Sequence, residues 1–495
     1  MNVSPEETRP DANGNRSWLA VGLAALLVTA ALVWYARTEA FAWDEGYHLI
    51  AAFLIAHGKQ PYIDFLFPQT PLNAYWNALW LHLLGEDWRV PHTLAALLTA
   101  GAVTLTAVHV YRRLPLSQSW RVSAAIVTAV AVGFNAVVFE FGSLQAYGMC
   151  LFLIVAAYIV TVSSVDRATS WRPALAGLLA GAAANSSLLT APVAPVLLLW
   201  MLVVNRSGSR AKKFVAFIAG VVIAFAPLIR LLIKAPHPVI FGFLQYQLLF
   251  RKVEWDDALI HNLGEVLALG DSSQAVLLLL LAGLGLFLIR KNAWSQALKS
   301  ELRLSAWLAL ALTVHLLTAR PTFTRYFLFT VPFLAIIAAA GLYEVTERLS
   351  QRARPWLAAL MIGGILTYGL AASLFGQRDD FMWRDAEDAA AKVREVTPAT
   401  ASLLADEHIY FLLHRAPPSG MELEDSHKLP FSEGEARVLH VVPRPKLDQM
   451  VKTGAFATVE MCDQDEIERL DLSSLYSKNT TAGSCQIFWQ WINPQ

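Results

Sequence analysis

Residues 18–48 decide the fold: WLAVGLAALLVTAALVWY, then ARTEAFAWDEGYH. The first part, Trp18 to Tyr35, carries no charge. It is close to the roughly 20 apolar residues that cross a bilayer core. It is too long for a signal-peptide core and no small-residue cleavage site follows, so it reads as a retained span. The second part turns aromatic and acidic at once, with Asp44 and Glu45 between Trp43 and Tyr47. Adjacent carboxylates at a membrane surface are costly unless hydrated, paired or bound to a cation. A plain solvated turn with interfacial aromatics is the simplest reading of that pair taken alone.

The rest of the chain repeats the apolar pattern. Of 495 residues, 56% are hydrophobic and only 16% charged, against about 25% charged in soluble domains. Net charge is zero, so no overall field points to nucleic acid. We expect an all-α polytopic membrane protein with a small C-terminal α/β soluble domain. About eleven spans are expected, at 18–36, 91–111, 122–140, 144–163, 172–185, 187–204, 214–233, 275–289, 303–319, 326–343 and 356–375.

The placement of basic residues orients these spans. With residues 1–17 as a disordered cytoplasmic tail, the inner loops hold Arg112, Arg113 and Arg121, then Arg167 and Arg172, then Arg206, Arg210, Lys212 and Lys213. Later inner loops hold Arg290, Lys291, Lys299 and Arg303, then Arg348, Arg352 and Arg354. Reading 172–204 as one broken helix would move the Arg206–Lys213 cluster outside and invert every later loop, so a hairpin turning at Asn185, Ser186 and Ser187 is expected. Two large outer loops result, 37–90 and 234–274, within a membrane domain 18–375. Residues 376–495 form the outer domain, with a helix near Asp385–Val396, a short apolar run at Ala401–Leu404, and strands near Val438–Val442, Phe456–Met461 and Gln486–Trp491. Cys462 and Cys485 lie there, where an oxidising compartment permits a disulfide. Cys150 reads as a small buried residue. No repeat, low-complexity tract or Gly-rich phosphate loop is present.

The first outer loop has a distinctive order. The acidic pair is followed by an apolar helical stretch, Leu49 to Ala56, then the turn His57-Gly58-Lys59-Gln60-Pro61-Tyr62. Pro68, Pro71 and Leu72 then precede Tyr75-Trp76. This order resembles the first periplasmic loop of the C-type membrane glycosyltransferases, especially the aminoarabinose-to-lipid A transferases, the protein O-mannosyltransferases and their bacterial relatives. Those proteins carry adjacent prolines and a Tyr-Trp one residue earlier, so the match is one of order more than of spacing.

The resemblance implies transfer of a sugar from a polyprenyl-phosphate carrier to an acceptor lipid, glycan or protein, at the periplasmic face of a bacterial inner membrane. Such transfer needs a carboxylate to accept the acceptor's proton and cationic groups to steady the leaving phosphate. Asp44 occupies the base position, with Glu45 as its partner or a metal contact. Arg320, Arg325 and Tyr326 stand in the last outer turn, against the positive-inside bias, and are assigned to the carrier phosphate. Snorkelling to lipid phosphates is the bland reading of the same arginines. Glu140, His48, Asp64 and His261 are candidates for acceptor or metal contact, although no His-x-x-x-His or Cys-x-x-Cys spacing supports a divalent metal. Arg251, Lys252, Glu254, Asp256 and Asp257 read as a charged surface helix or a flap beside the pocket. A transporter of lipid-linked sugars and a non-catalytic assembly protein are the rivals. The lack of a charged residue in the middle of any span weighs against the first.

Overall fold

The computed structural model describes residues 12–144, 146–249, 258–291, 294–319, 321–349, 355–376 and 381–492. The chain opens with α1 (Ala12–Thr38), α2 (Glu45–Ala56), α3 (Leu72–Leu84) and α4 (Arg89–Arg113). The molecule is a polytopic helical membrane protein whose only sheet among the described residues lies near the C-terminus.

Eight segments among the described residues are long and apolar enough to cross a membrane, from Trp18–Thr38 to Ala359–Gly376. The other three expected spans form shorter helices, so the count of eleven does not follow from helix length. Residues 122–140 divide at Asn135 into Gln118–Gly133 and Ala136–Phe141. Residues 172–204 divide into Trp171–Ser186, a turn of 3-10 helix at Leu188–Thr190, and Val193–Val203. Ser187 is extended there, at φ −158° and ψ 128°. The chain does reverse at this break. The Arg206 amide donates to the Val165 carbonyl at 3.3 Å and its side chain meets Asp166 at 3.3 Å. The end of the second helix thus returns to the start of the first, which is the hairpin geometry.

Small residues allow the tightest helix contact. Gly177 and Gly181, spaced as Gly-x-x-x-Gly, face Phe217 and Ala224 of Arg210–Lys234, whose Gly220 in turn faces Ala174 and Leu178. A Cβ on Gly177 would lie 2.0 Å from the Phe217 carbonyl oxygen. Close backbone approach of this kind replaces the hydrophobic driving force that lipid cannot supply.

The two ends of the helical bundle differ. Trp88 and Arg89 at the start of α4 bond to Glu387 of the tail, each at 2.9 Å. Arg112 and Arg113 close the same 25-residue helix, about 37 Å away at 1.5 Å per residue. The chain just before the Arg206–Lys213 segment sits at that far end too, since Arg113 bonds to Glu301 and Trp200 Nε1 donates to the neighbouring Ser300 Oγ at 3.1 Å.

The tail is docked by apolar packing as well as by polar contacts. Helix Trp383–Val396 buries Trp383, Ala386, Ala389, Ala390 and Val393, an i, i+3, i+4 stripe. That stripe shares one core with Leu49 and Phe53 of α2 and Ala78 of α3. Trp383 stacks on Trp88 at 4.6 Å between ring centres. At Gly46 the backbone of α2 meets the tail directly, because a Cβ there would sit 3.1 Å from Glu407 Cβ and His408 N.

The sheet has the order β1-β2-β4-β3, from β1 (Leu403–Leu404), β2 (Thr458–Met461), β3 (Tyr476–Ala482) and β4 (Cys485–Trp491). β1 and β2 are parallel, and the other pairs antiparallel. The strand expected at Val438–Val442 is absent. Ser432 caps a helix, Glu433–Val438, by accepting from the Glu435 amide. Val438 is half exposed, and His440 then takes a left-handed turn at φ 57°.

Candidate active site

Asp44 is the N-cap of α2, but its side chain makes no capping bond. An Asp at that position ordinarily accepts from a backbone amide of the first turn. Here the carboxylate reaches across the molecule to Arg325, with Oδ2 2.6 Å from Nη2. The residue that precedes the helix has been turned from local capping to a long-range contact.

Glu45, its neighbour, goes the other way. It is buried, and Oε1 lies 2.7 Å from His92 Nε2. The opposite ring nitrogen, Nδ1, sits 2.8 Å from the Ala36 carbonyl, which fixes the ring. Glu45 therefore ties α2 to α1 and α4 through His92.

Arg325 is positioned from three sides. Its guanidinium lies over the rings of Phe323, at 4.4 Å, and Tyr326, at 5.8 Å. The Tyr147 hydroxyl hydrogen-bonds to it. Its buried Nε has no hydrogen-bond partner among the described residues. The turn that carries it is braced by helix Ala258–Asp271. His261 Nε2 lies 3.0 Å from the Thr322 carbonyl, Asn262 accepts from the Thr322 amide at 2.8 Å, and Glu265 accepts from the Thr324 amide at 2.6 Å.

Two cavities meet at Asp44 and Tyr47. One, of about 270 Å³, lies among span ends and is lined by Tyr147, Leu188, His315, Thr318 and Tyr326. Leu244 and Leu248, both largely exposed, also line it. The other, of about 450 Å³, lies between the membrane part and the tail, with Trp43, Asp406, Glu407, Glu424, Asp425 and Asp463 on its walls. Burial, with the Glu424 charge beside it, pushes the Glu407 carboxyl up to about 8. Burial and the Asp425 charge push Glu424 up to about 7. Lys428 answers part of this charge through Asp425 at 2.9 Å and Asp463 at 3.6 Å.

The remaining sequence candidates separate. His48 is buried on the wall of the membrane-side cavity, and burial drives its pKa down to about 3. Asp64 closes a turn by accepting from the Gln60 amide at 2.7 Å. His261 braces the Arg325 turn. These three do not converge on one ion. Glu140 is buried at the end of Ala136–Phe141 and lines neither cavity. Tyr326 lines the membrane-side cavity. Cys462 and Cys485 are joined in a disulfide. Arg320, Arg251, Lys252, Glu254, Asp256 and Asp257 lie outside the described residues. Tyr47, Tyr147, Gln247 and the tail acids were not singled out by the sequence. Only Tyr47, one helical turn from Asp44, carried a local signal.

The eight candidate spans among the described residues, the two helices α2 and α3 after the first of them and the docked α/β tail are arranged in the C-type membrane glycosyltransferase fold. In particular, the chain superposes on ArnT from Cupriavidus metallidurans bound to undecaprenyl phosphate. The TM-score is 0.66 at 14% identity, covering 96% of this chain and 98% of that one. The apo form of the same protein gives 0.68. The archaeal oligosaccharyltransferase AglB from Archaeoglobus fulgidus, in complex with an inhibitory peptide and a dolichol-phosphate, gives 0.51 at 13% identity. That match covers 98% of this chain and 75% of AglB. No protein-family model and no curated protein sequence matches the chain.

Proposed function

We propose that the protein is a glycosyltransferase that moves a sugar from a polyprenyl-phosphate carrier to an acceptor lipid, glycan or protein. The observation that carries this reading is the position of Asp44: one carboxylate borders both cavities and sits 2.6 Å from an arginine. The membrane-side cavity suits a carrier arriving from the bilayer, because its wall is largely apolar and Leu244 and Leu248 on it are exposed. The polar cavity suits an acceptor arriving from water.

The chemistry follows from those positions. The acceptor hydroxyl or amide attacks the anomeric carbon while Asp44 takes its proton. The bond from the anomeric carbon to the phosphate oxygen breaks, and the polyprenyl phosphate leaves with that electron pair. Arg325 steadies the developing charge through its planar fork. Before the donor binds, Arg325 is held by Asp44. The incoming phosphate offers it a second anion, and Nε, which has no partner among the described residues, a place to bond. That exchange frees Asp44 to act as base. No step is routed through a metal, since Glu45 is turned to His92 and His48, Asp64 and His261 stand apart.

The positive-inside rule places the Arg112–Arg113 and Arg206–Lys213 end in the cytoplasm. Asp44 and the tail then face the periplasm of a bacterial inner membrane. Incubating the purified protein in vesicles with a radiolabelled polyprenyl-phosphate sugar tests the reading. Label should pass to an acceptor. Label that crosses the vesicle without transfer would identify a transporter, and binding alone a non-catalytic protein; either outcome overturns the proposal.

A further inference from the structure

Two tyrosines stand beside Asp44 and Arg325. Tyr47 lies in the first turn of α2 and borders both cavities. Its ring stacks on His48 at 4.3 Å between centres. Tyr147 opens the span Tyr147–Ser164, lines the membrane-side cavity and is 4% exposed. Its ring meets Phe329 at 5.9 Å and Tyr326 at 6.4 Å, edge to face. The Asp44 carboxylate is close enough to act electrostatically on both tyrosines.

The partner decides the direction of each hydrogen bond. Gln69 Nε2 donates to the Tyr47 hydroxyl oxygen at 3.3 Å. Arg325 carries N–H donors and no acceptor, so the Tyr147 oxygen accepts from it. Both oxygens are engaged as acceptors, and each hydroxyl keeps one proton to donate. Among the described residues neither proton has an acceptor. A buried donor left unpaired is destabilising, so Tyr147 above all calls for a ligand. Arg325 Nε, likewise without a partner among the described residues, is a third such donor. The three come from α2, from the start of one span and from the turn before another. Asp44 is the one carboxylate on the membrane-side wall among the described residues.

A phosphate is the ligand that such a donor set fits. Its charge changes during the transfer. In the donor the phosphate is a diester with one negative charge. When the bond from the anomeric carbon breaks, the electron pair stays on the oxygen, and the product is a monoester with about two. We propose that the Tyr47 and Tyr147 hydroxyls hydrogen-bond the oxygen freed in that step, and so hold the leaving phosphate more tightly than the donor. No proton passes to the phosphate from Tyr47. Burial and the Asp44 charge hold that phenol well above its usual value. Neutral donors suit the place, because a second cation beside Asp44 would weaken it as a base. Binding gained only as the bond breaks is what accelerates the step. The inference rests on the transferase reading and adds two catalytic residues to it.

The test compares two lipids and requires no knowledge of the sugar. One is polyprenyl phosphate, a monoester. The other is its methyl ester, a diester with one charge. Binding is measured by calorimetry at pH 8 on the full chain in nanodiscs, and polyprenol, which has no phosphate, reports whether the cavity is intact. Wild-type protein should prefer the monoester by at least about 10-fold. Tyr147→Phe and Tyr47→Phe should each lower monoester affinity about 10-fold and change the affinity for the methyl ester and for polyprenol by less than about 2-fold. In the vesicle transfer assay both should lower kcat and leave the donor KM nearly unchanged. Equal losses for the two phosphate lipids would reduce the tyrosines to packing residues, and unchanged monoester affinity in both variants would show that the hydroxyls do not reach the phosphate; either result overturns the proposal. Should one variant lose polyprenol binding, the other decides. Wild-type protein that shows the preference but transfers no label would sink the transferase reading and leave a site for a doubly charged phosphate. Label transfer with both variants binding like wild type would sink the tyrosine assignment alone.

Discussion

The two cavities that meet at Asp44 differ in nearly every other wall residue. The membrane-side cavity is walled by Leu188, Leu244, Leu248, Tyr147 and Tyr326, with one buried neutral histidine, His48. The polar cavity is walled by Asp406, Glu407, Glu424, Asp425 and Asp463, from the tail. The first comes from helices that any membrane bundle would supply. The second exists only because the tail docks on α2 at Gly46 and on α4 at Trp88. One carboxylate bordering both spaces is what a transfer between a lipid and a water-borne acceptor requires, and a transporter has no need of the arrangement.

The largest effect should come from the shared residue. Asp44→Asn keeps both cavities and removes the proposed base, so transfer should fall by at least about 10³-fold with donor binding retained. A variant that keeps wild-type transfer in the vesicle assay would detach Asp44 from the chemistry. Arg325→Lys should be next, lowering kcat/KM by about 10²-fold, because an ammonium keeps the charge and loses the fork. Equal rates for the two side chains would mean that Arg325 acts only as a counter-charge.

Much of this was legible in the sequence, for a physical reason. Spans announce themselves by composition, and Asp44 is conspicuous because charge beside a bilayer is costly. Arg325 is conspicuous because it breaks the positive-inside bias. What stayed hidden depends on contacts between distant segments. Glu45 looks like the twin of Asp44, and only His92, in α4, shows that it is a buried tie. Asp406, Glu407 and Glu424 look like ordinary surface acids of a polar tail until the fold brings them over Asp44. Strand β3 was missed because Ser477-Lys478-Asn479-Thr480-Thr481 is largely exposed and lacks the apolar alternation that marks a strand. The apolar run Val438–Val442 misled for the opposite reason, since five residues cannot distinguish strand from helix end.

The two cavities should also separate kinetically. Thr318→Trp fills the membrane-side cavity and should raise the KM for the lipid donor about 10-fold with the acceptor KM unchanged. Asp425→Arg reverses charge on the tail wall and should change the acceptor KM alone. Either variant altering both constants equally would join the two spaces into one pocket.

The smallest effect is the most specific to the comparison, because the two cavities should respond to pH with opposite sign. The folded His48 has a pKa near 3 against 6.5 for a free histidine. Below about 6.5 the unfolded chain takes up a proton that the folded site refuses, so His48 costs stability as pH falls from 6.5 toward 3. Glu407 and Glu424 stand near 8 and 7 against 4.5 when free. The folded protein keeps those protons after the unfolded chain has lost them, so their contribution is complete below 4.5 and is lost as pH rises through 7 to 8. Relative to wild type, His48→Gln should therefore gain a few degrees of melting temperature at pH 5, about 2–4 °C, and little at pH 8. Glu407→Gln and Glu424→Gln should gain at pH 8.5 and not at pH 5. If all three variants shift the midpoint alike at both pH values, the walls share one electrostatic environment. The membrane-side cavity would then be as wet as the polar one, and the division of donor and acceptor between them would lose its physical basis.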